Sequence, residues 1–163
     1  GTDLDASGSS DCAPATLHPV NTATEGVFCP FAAGGTVPGA FCGTGQFCCK
    51  PSLSPSVGVC TDPGPSGANP CTPVTDVSIQ CDDSVQCNAG NGGTQCCGTG
   101  AVLQDPLCTG TGAYFGSAFS GTKCQSSCAP AQLQMCSHAS GECGGGASCT
   151  PFKAKGGQFA ACL

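Results

Sequence analysis

Apolar residues in this chain come in short bursts, most of them ending on cysteine. Gly26-Val27-Phe28-Cys29-Pro30-Phe31, Gly45-Gln46-Phe47-Cys48-Cys49-Lys50, Val57-Gly58-Val59-Cys60 and Phe159-Ala160-Ala161-Cys162 are the clearest. Each is a few residues long and bounded by Gly, Pro, Ser or Asn, the signature of short strands separated by turns. Residues 74–79 alternate weakly and predict one more short strand. Pro130-Ala131-Gln132-Leu133-Gln134-Met135 fits one helical turn or an extended segment. Residues 33–39 and 88–93 are turn clusters, the latter rich in Asn and Gly, which tolerate positive φ. The predicted fold is mainly β with little helix.

One hairpin plan occurs three times. The arm 45–50 is answered by 57–60 across a Pro/Ser turn. Thr94-Gln95-Cys96-Cys97 is answered by Pro106-Leu107-Cys108, and Ala147-Ser148-Cys149-Thr150 by 159–162. Cys42, Cys87 and Cys143 precede the hairpins. Cys48, Cys96 and Cys149 sit on the first arms, and Cys60, Cys108 and Cys162 on the second. Cys29, Cys81 and Cys136 come one step earlier, after Cys12, Cys71 and Cys128. The doublet partner, Cys49 or Cys97, is replaced in the third block by Thr150, and Cys124 makes up the number. Six cysteines per block predict three tandem modules of three bridges each, at 12–60, 71–108 and 124–163. A polar arm at 1–11, a stiff Pro/Gly linker at 61–70 and a Gly/aromatic connector at 109–123 lie outside them.

Composition turns this pattern into chemistry. Of 163 residues, 18 are cysteine, 26 glycine and 13 proline, with no Trp. Large side chains are too few and scattered for a continuous core, and cysteine above roughly 8–10% marks a disulfide scaffold. Units of about 40 residues usually need bridges, metal or partners to fold. Each bridge contributes on the order of 2–4 kcal/mol. No Cys-x-x-Cys is present, and His18 and His138 lie far apart, whereas zinc ligands come in closely spaced pairs. The expectation is therefore a disulfide-rich fold with no metal and no cofactor, in an oxidising, extracytoplasmic compartment. Adjacent cysteines rarely bond to one another, because the geometry is strained, so each doublet should split between two partners.

Charge is scarce. Only 9% of residues are charged, the four cations are all lysine (50, 123, 153 and 155), and the net charge is -6. The basic footprint of a nucleic-acid binder is missing, as are polybasic segments for anionic lipid. No apolar run approaches the roughly 20 residues of a membrane span. The chain begins at Gly1 without initiator Met or leader, so export implies a signal sequence that has been removed. Few charges also give little protection against self-association.

Candidate chemistry is thin. No Gly-x-Ser-x-Gly occurs, His18 precedes Pro19, and His138 lies between Ser137 and Ala139. The acidic pair Asp82-Asp83 should diverge in an extended segment, and all ten acids fit surface solvation. No catalytic residue is assigned, and the chain is not expected to be an enzyme. Asp3, Asp5, Ser7, Gly8 and Asp11 imitate the start of a calcium loop, but Pro14 stands where such a loop needs a bidentate Glu, so an acidic arm is the expectation. Tyr114, Phe115 and Phe119 fit a loop that covers a thin core, or else an aromatic patch for a partner.

Two stretches carry resemblances. Cys81-Asp82-Asp83-Ser84-Val85-Gln86-Cys87 followed by Cys96-Cys97 resembles part of a whey-acidic-protein-type four-disulfide core. Members of that family are often protease inhibitors. The likeness ends at Cys97, since that family has two closely spaced cysteines after the doublet and this chain has Cys108 alone; no inhibitory loop carries over. Across nearly the whole chain, Phe28-Cys29-Pro30-Phe31, the Gly-x-x-Cys-Cys hairpin, Lys123-Cys124-Gln125-Ser126-Ser127-Cys128, Gln132-Leu133-Gln134-Met135-Cys136 and Cys149-Thr150-Pro151-Phe152 are similar to cysteine-rich exported proteins of myxobacteria. That resemblance implies a bacterial, extracellular or cell-surface setting and no particular site.

Together these readings imply a secreted structural protein, a self-assembling subunit of an extracellular filament or surface layer. Its partners would be copies of itself or other surface components. The alternative is a monomeric extracellular binding module: a protease inhibitor, adhesin or carbohydrate binder.

Overall fold

The computed structural model describes residues 17, 25–31, 39–51, 58–71, 76–104, 114–137, 142–154 and 157–163. Cys12, Cys108, both histidines, the polar arm and the turn cluster at 33–38 lie outside the described residues. Strands β1 (Glu25–Cys29) and β2 (Ala40–Gly43) form an antiparallel pair. Eight more share one sheet: β3 (Phe47–Pro51), β4 (Val59–Thr61), β5 (Asp76–Ile79), β6 (Gln95–Gln104), β7 (Tyr114–Gln125), β8 (Gln132–Gln134), β9 (Cys149–Ala154) and β10 (Gly157–Cys162). Single 3-10 turns cover Pro65–Gly67, Ser84–Gln86 and Ala89–Asn91. The protein is thus a disulfide-rich, mainly β fold, and residues 132–134 take the extended option.

β7 is the centre of the sheet. One of its edges pairs with β6 from Gln104↔Tyr114 to Gln95↔Gln125. The other meets β5 in parallel at Gly121–Thr122 and β9 at Phe115↔Lys153. The sheet then closes on itself. β9 pairs β10, Met135 just beyond β8 bridges Ala161 of β10, and β8 pairs β6. The ring surrounds a small core of Phe119, Met135, Phe152 and Phe159, all buried. Phe119 and Phe159 stand 4.6 Å apart between ring centres, and Phe119 meets Phe152 edge-on at 5.6 Å.

The second hairpin departs from its sequence-based expectation. The partner of β6 is β7, drawn from the Gly/aromatic connector, and Cys124 rather than Cys108 stands opposite Cys96. Residues 114–125 look like a loop because glycine and serine have low strand propensity. Their glycines serve close approach instead. A Cβ at Gly121 would lie 2.1 Å from the Ser78 carbonyl oxygen of β5, and its φ of +136° is one that side-chain-bearing residues avoid. The linker at 61–70 folds back on itself: Gly64 N–H donates to the Ala68 carbonyl at 2.8 Å around the Pro65–Gly67 turn.

Each hairpin sets two cysteines directly opposite one another: Cys48 and Cys60, Cys96 and Cys124, Cys149 and Cys162. None of these pairs is bonded. The first-arm cysteine reaches back to the earlier position, giving Cys29–Cys48, Cys81–Cys96 and Cys136–Cys149. The second-arm cysteine bonds to the one just before the hairpin, giving Cys42–Cys60, Cys87–Cys124 and Cys143–Cys162. The doublets split, as the strain argument requires, with Cys49 bonded to Cys71 and Cys97 to Cys128. The closure of each block on its own three bridges is therefore corrected. Cys49–Cys71, Cys87–Cys124 and Cys97–Cys128 all cross the expected boundaries. Since the second arm of the middle hairpin is β7, Cys124 is that hairpin's own cysteine and not a stand-in for the doublet position at Thr150.

Candidate functional site

The described cysteines form a frame of bridges. Sulfurs crowd within 4.8 Å at Cys29, Cys42 and Cys60, at Cys81, Cys87 and Cys96, and at Cys136, Cys143 and Cys162. All of them are halves of bridges, so they offer no thiolate to a metal. What crowds at each hairpin is two bridges stacked side by side.

The aromatic trio divides. Phe119 is 1% exposed and belongs to the ring core, so it cannot meet a partner. Tyr114 and Phe115 stay half-buried where β7 meets β6 and β9.

Asp82 and Asp83 are buried, contrary to the surface role expected of the acids. Their side chains do diverge, as neighbours in an extended segment must. Asp82 accepts from the Phe28 main-chain N–H at 2.8 Å. Asp83 caps the Ser84–Gln86 turn by accepting from Val85 N–H at 2.8 Å, and its other oxygen accepts from the Ser137 hydroxyl at 2.5 Å. Glu142 closes the same corner by accepting from Ser137 N–H at 2.6 Å. Ser137 is 3% exposed with its hydroxyl donating to a carboxylate, and the cluster joins distant segments. A sequence offers little sign of it beyond an acidic pair placed beside a cysteine.

A groove of about 840 Å³ lies between the β1 and β3 segments on one side and residues 80–92 on the other. No residue lining it is charged, and five carry side-chain amides: Gln46, Gln80, Gln86, Asn88 and Asn91. Val85, 77% exposed, stands at the same place. Sequence reasoning placed most of these residues in two strand bursts, the 61–70 linker and the 88–93 turn cluster, and their convergence depends on the bridges that gather those segments.

Sheet edges are the other exposed feature. β8 covers β6 only at residues 97–99, so among the described residues nothing pairs with the outer edge of 101–104. That edge carries no charge and no proline, and Leu103 is 48% exposed. β4 likewise pairs only with β3, with Val59 55% exposed. β9 differs. Ser148 and Leu163 exchange both main-chain hydrogen bonds, so Pro151, three residues on, turns its nitrogen away from β10. A proline in that position removes a main-chain donor from the side of β9 that faces β7.

No protein-family model, curated protein or solved structure matches the chain. Among the described residues, no helix is long and apolar enough to cross a membrane. The eight bridges among the described residues, holding so small a core, fit a disulfide-stabilised protein of an oxidising, extracellular setting.

Proposed function

We propose that this is a secreted structural subunit that joins copies of itself into an extracellular filament or surface layer, without enzymatic activity. The observation that carries this reading is the edge of β6 at residues 101–104, which no strand among the described residues covers. Soluble β proteins blunt such edges with lysine, proline or a cover, because unpaired main-chain groups recruit another strand. β4 supplies a second, different edge. Two unlike edges permit head-to-tail contacts, which generate rings where the rotation closes and open filaments where it does not. The low charge and the resemblance to exported myxobacterial proteins support a bacterial surface setting. A binding role is favoured by one observation, the uncharged groove, and is compatible with a structural subunit.

Sedimentation velocity at rising concentration tests assembly. Wild-type protein should form species growing beyond the 15.7 kDa chain, and Leu103→Lys and Val59→Lys should each suppress them while leaving the fold intact. A wild-type chain that stays at 15.7 kDa throughout overturns the reading.

A further inference from the structure

The groove's amides are held in place before any ligand arrives. Gln46 accepts from Gly43 N–H at 2.8 Å and donates to Asp62 at 3.0 Å. Gln80 accepts from Cys124 N–H at 2.9 Å and donates to the Asn91 carbonyl at 3.2 Å. Gln86 accepts from Asp82 N–H at 2.7 Å and donates to the Gly26 carbonyl at 3.4 Å. Asn88 accepts from Gly90 N–H, and Asn91 accepts from Asn88 N–H and donates to the Gln86 carbonyl, each at 2.8 Å. A side-chain amide has two N–H donors and two acceptor sites, so Gln46, Gln80, Gln86 and Asn91 each keep a donor and an acceptor beyond these bonds, while Asn88, which also accepts from Asn91 N–H, keeps its donors. The Cys42–Cys60, Cys81–Cys96 and Cys87–Cys124 bridges fix the segments that carry them.

We infer that this groove binds a neutral polyhydroxylated chain, that is, an uncharged oligosaccharide or polysaccharide. Three properties point there. Amides fixed by hydrogen bonds line the groove, and preorganised groups lose little freedom on binding. No charge lines it, so an ionic ligand would surrender hydration with nothing to compensate. Gly45 and Gly67 have open space where a Cβ would stand, leaving main chain available to a hydroxylated ligand. Phe47, the aromatic residue of the lining, is 5% exposed and gives no stacking platform, so affinity is weak and rests on hydrogen bonds. An extended peptide fits less well, because its anchor side chains would need apolar pockets. This site is independent of assembly.

The test is a titration of isotope-labelled protein, in the Leu103→Lys background, with cellohexaose, maltohexaose and chitohexaose, followed by amide chemical shifts. At least one sugar should give saturable shifts centred on Gly45, Gln46, Gly67, Val85 and Gly90. Val85→Arg, which puts bulk and charge at an exposed position, should weaken that binding by about tenfold or more, and added salt should leave it unchanged. Four results would overturn the inference: no shifts from any of the three sugars, shifts scattered away from the groove, indifference to Val85→Arg, or equal saturable shifts from a Gly-Ser decapeptide.

Discussion

The Ser137 hydroxyl donates to the Asp83 carboxylate at 2.5 Å inside the protein, joining residues 54 apart in sequence. Its neighbour Asp82 reaches equally far in the other direction, to Phe28. The acidic pair thus ties the first and last thirds of the chain to the middle one. Hydrogen bonds to charged groups contribute more than neutral ones, and stranding a buried carboxylate costs its desolvation.

Ser137→Ala should therefore lower unfolding stability by about 1.5–3 kcal/mol, read from guanidinium midpoints. A loss within experimental error would show that the carboxylate finds another donor and that the joint is not needed.

The bridges should differ in worth according to the loop each closes. Cys87–Cys124 spans 37 residues and Cys136–Cys149 spans 13. Chain entropy assigns about 4 kcal/mol to the first and about 3 kcal/mol to the second. The double variant C87A/C124A should thus unfold at lower denaturant than C136A/C149A. The opposite order would mean that the last hairpin, and not the middle one, limits stability.

Glycine positions offer a sharper contrast. Gly45 has φ +80° and nothing within 4 Å of an added Cβ, whereas Gly121 meets main chain at 2.1 Å. Gly45→Ala should cost only the left-handed penalty, about 1–2 kcal/mol. Gly121→Ala should cost about 3 kcal/mol or more, since strain and clash combine. Thermal unfolding of the two variants checks the difference, and equal losses would argue against the β5–β7 contact.

Much of this fold is legible in the sequence, and the misses share a cause. β3 with β4 and β9 with β10 stand where the cysteine-ended bursts lie, because a half-buried strand needs apolar residues and shows them. β7 is hidden because its strand character comes from glycines that let neighbouring chains approach, a property of the partner strands and not of the local sequence. Once β7 is missed, Cys124 is assigned to the wrong hairpin and the blocks seem closed. The groove and the Asp83–Ser137 joint were invisible for a related reason. Both are made by side chains far apart in sequence, brought together by bridges whose pairing the sequence leaves open.

The central claim is that the six-cysteine blocks are not closed one by one, because the middle hairpin takes its second arm from β7, and the partner of Cys87 decides it. Proteolysis of the unreduced protein at acidic pH, followed by mass spectrometry of the linked peptides, should recover Cys87 joined to Cys124, with Cys49–Cys71 and Cys97–Cys128 also present. Recovery of Cys87 joined to Cys108, within the block of residues 71–108, would contradict the account.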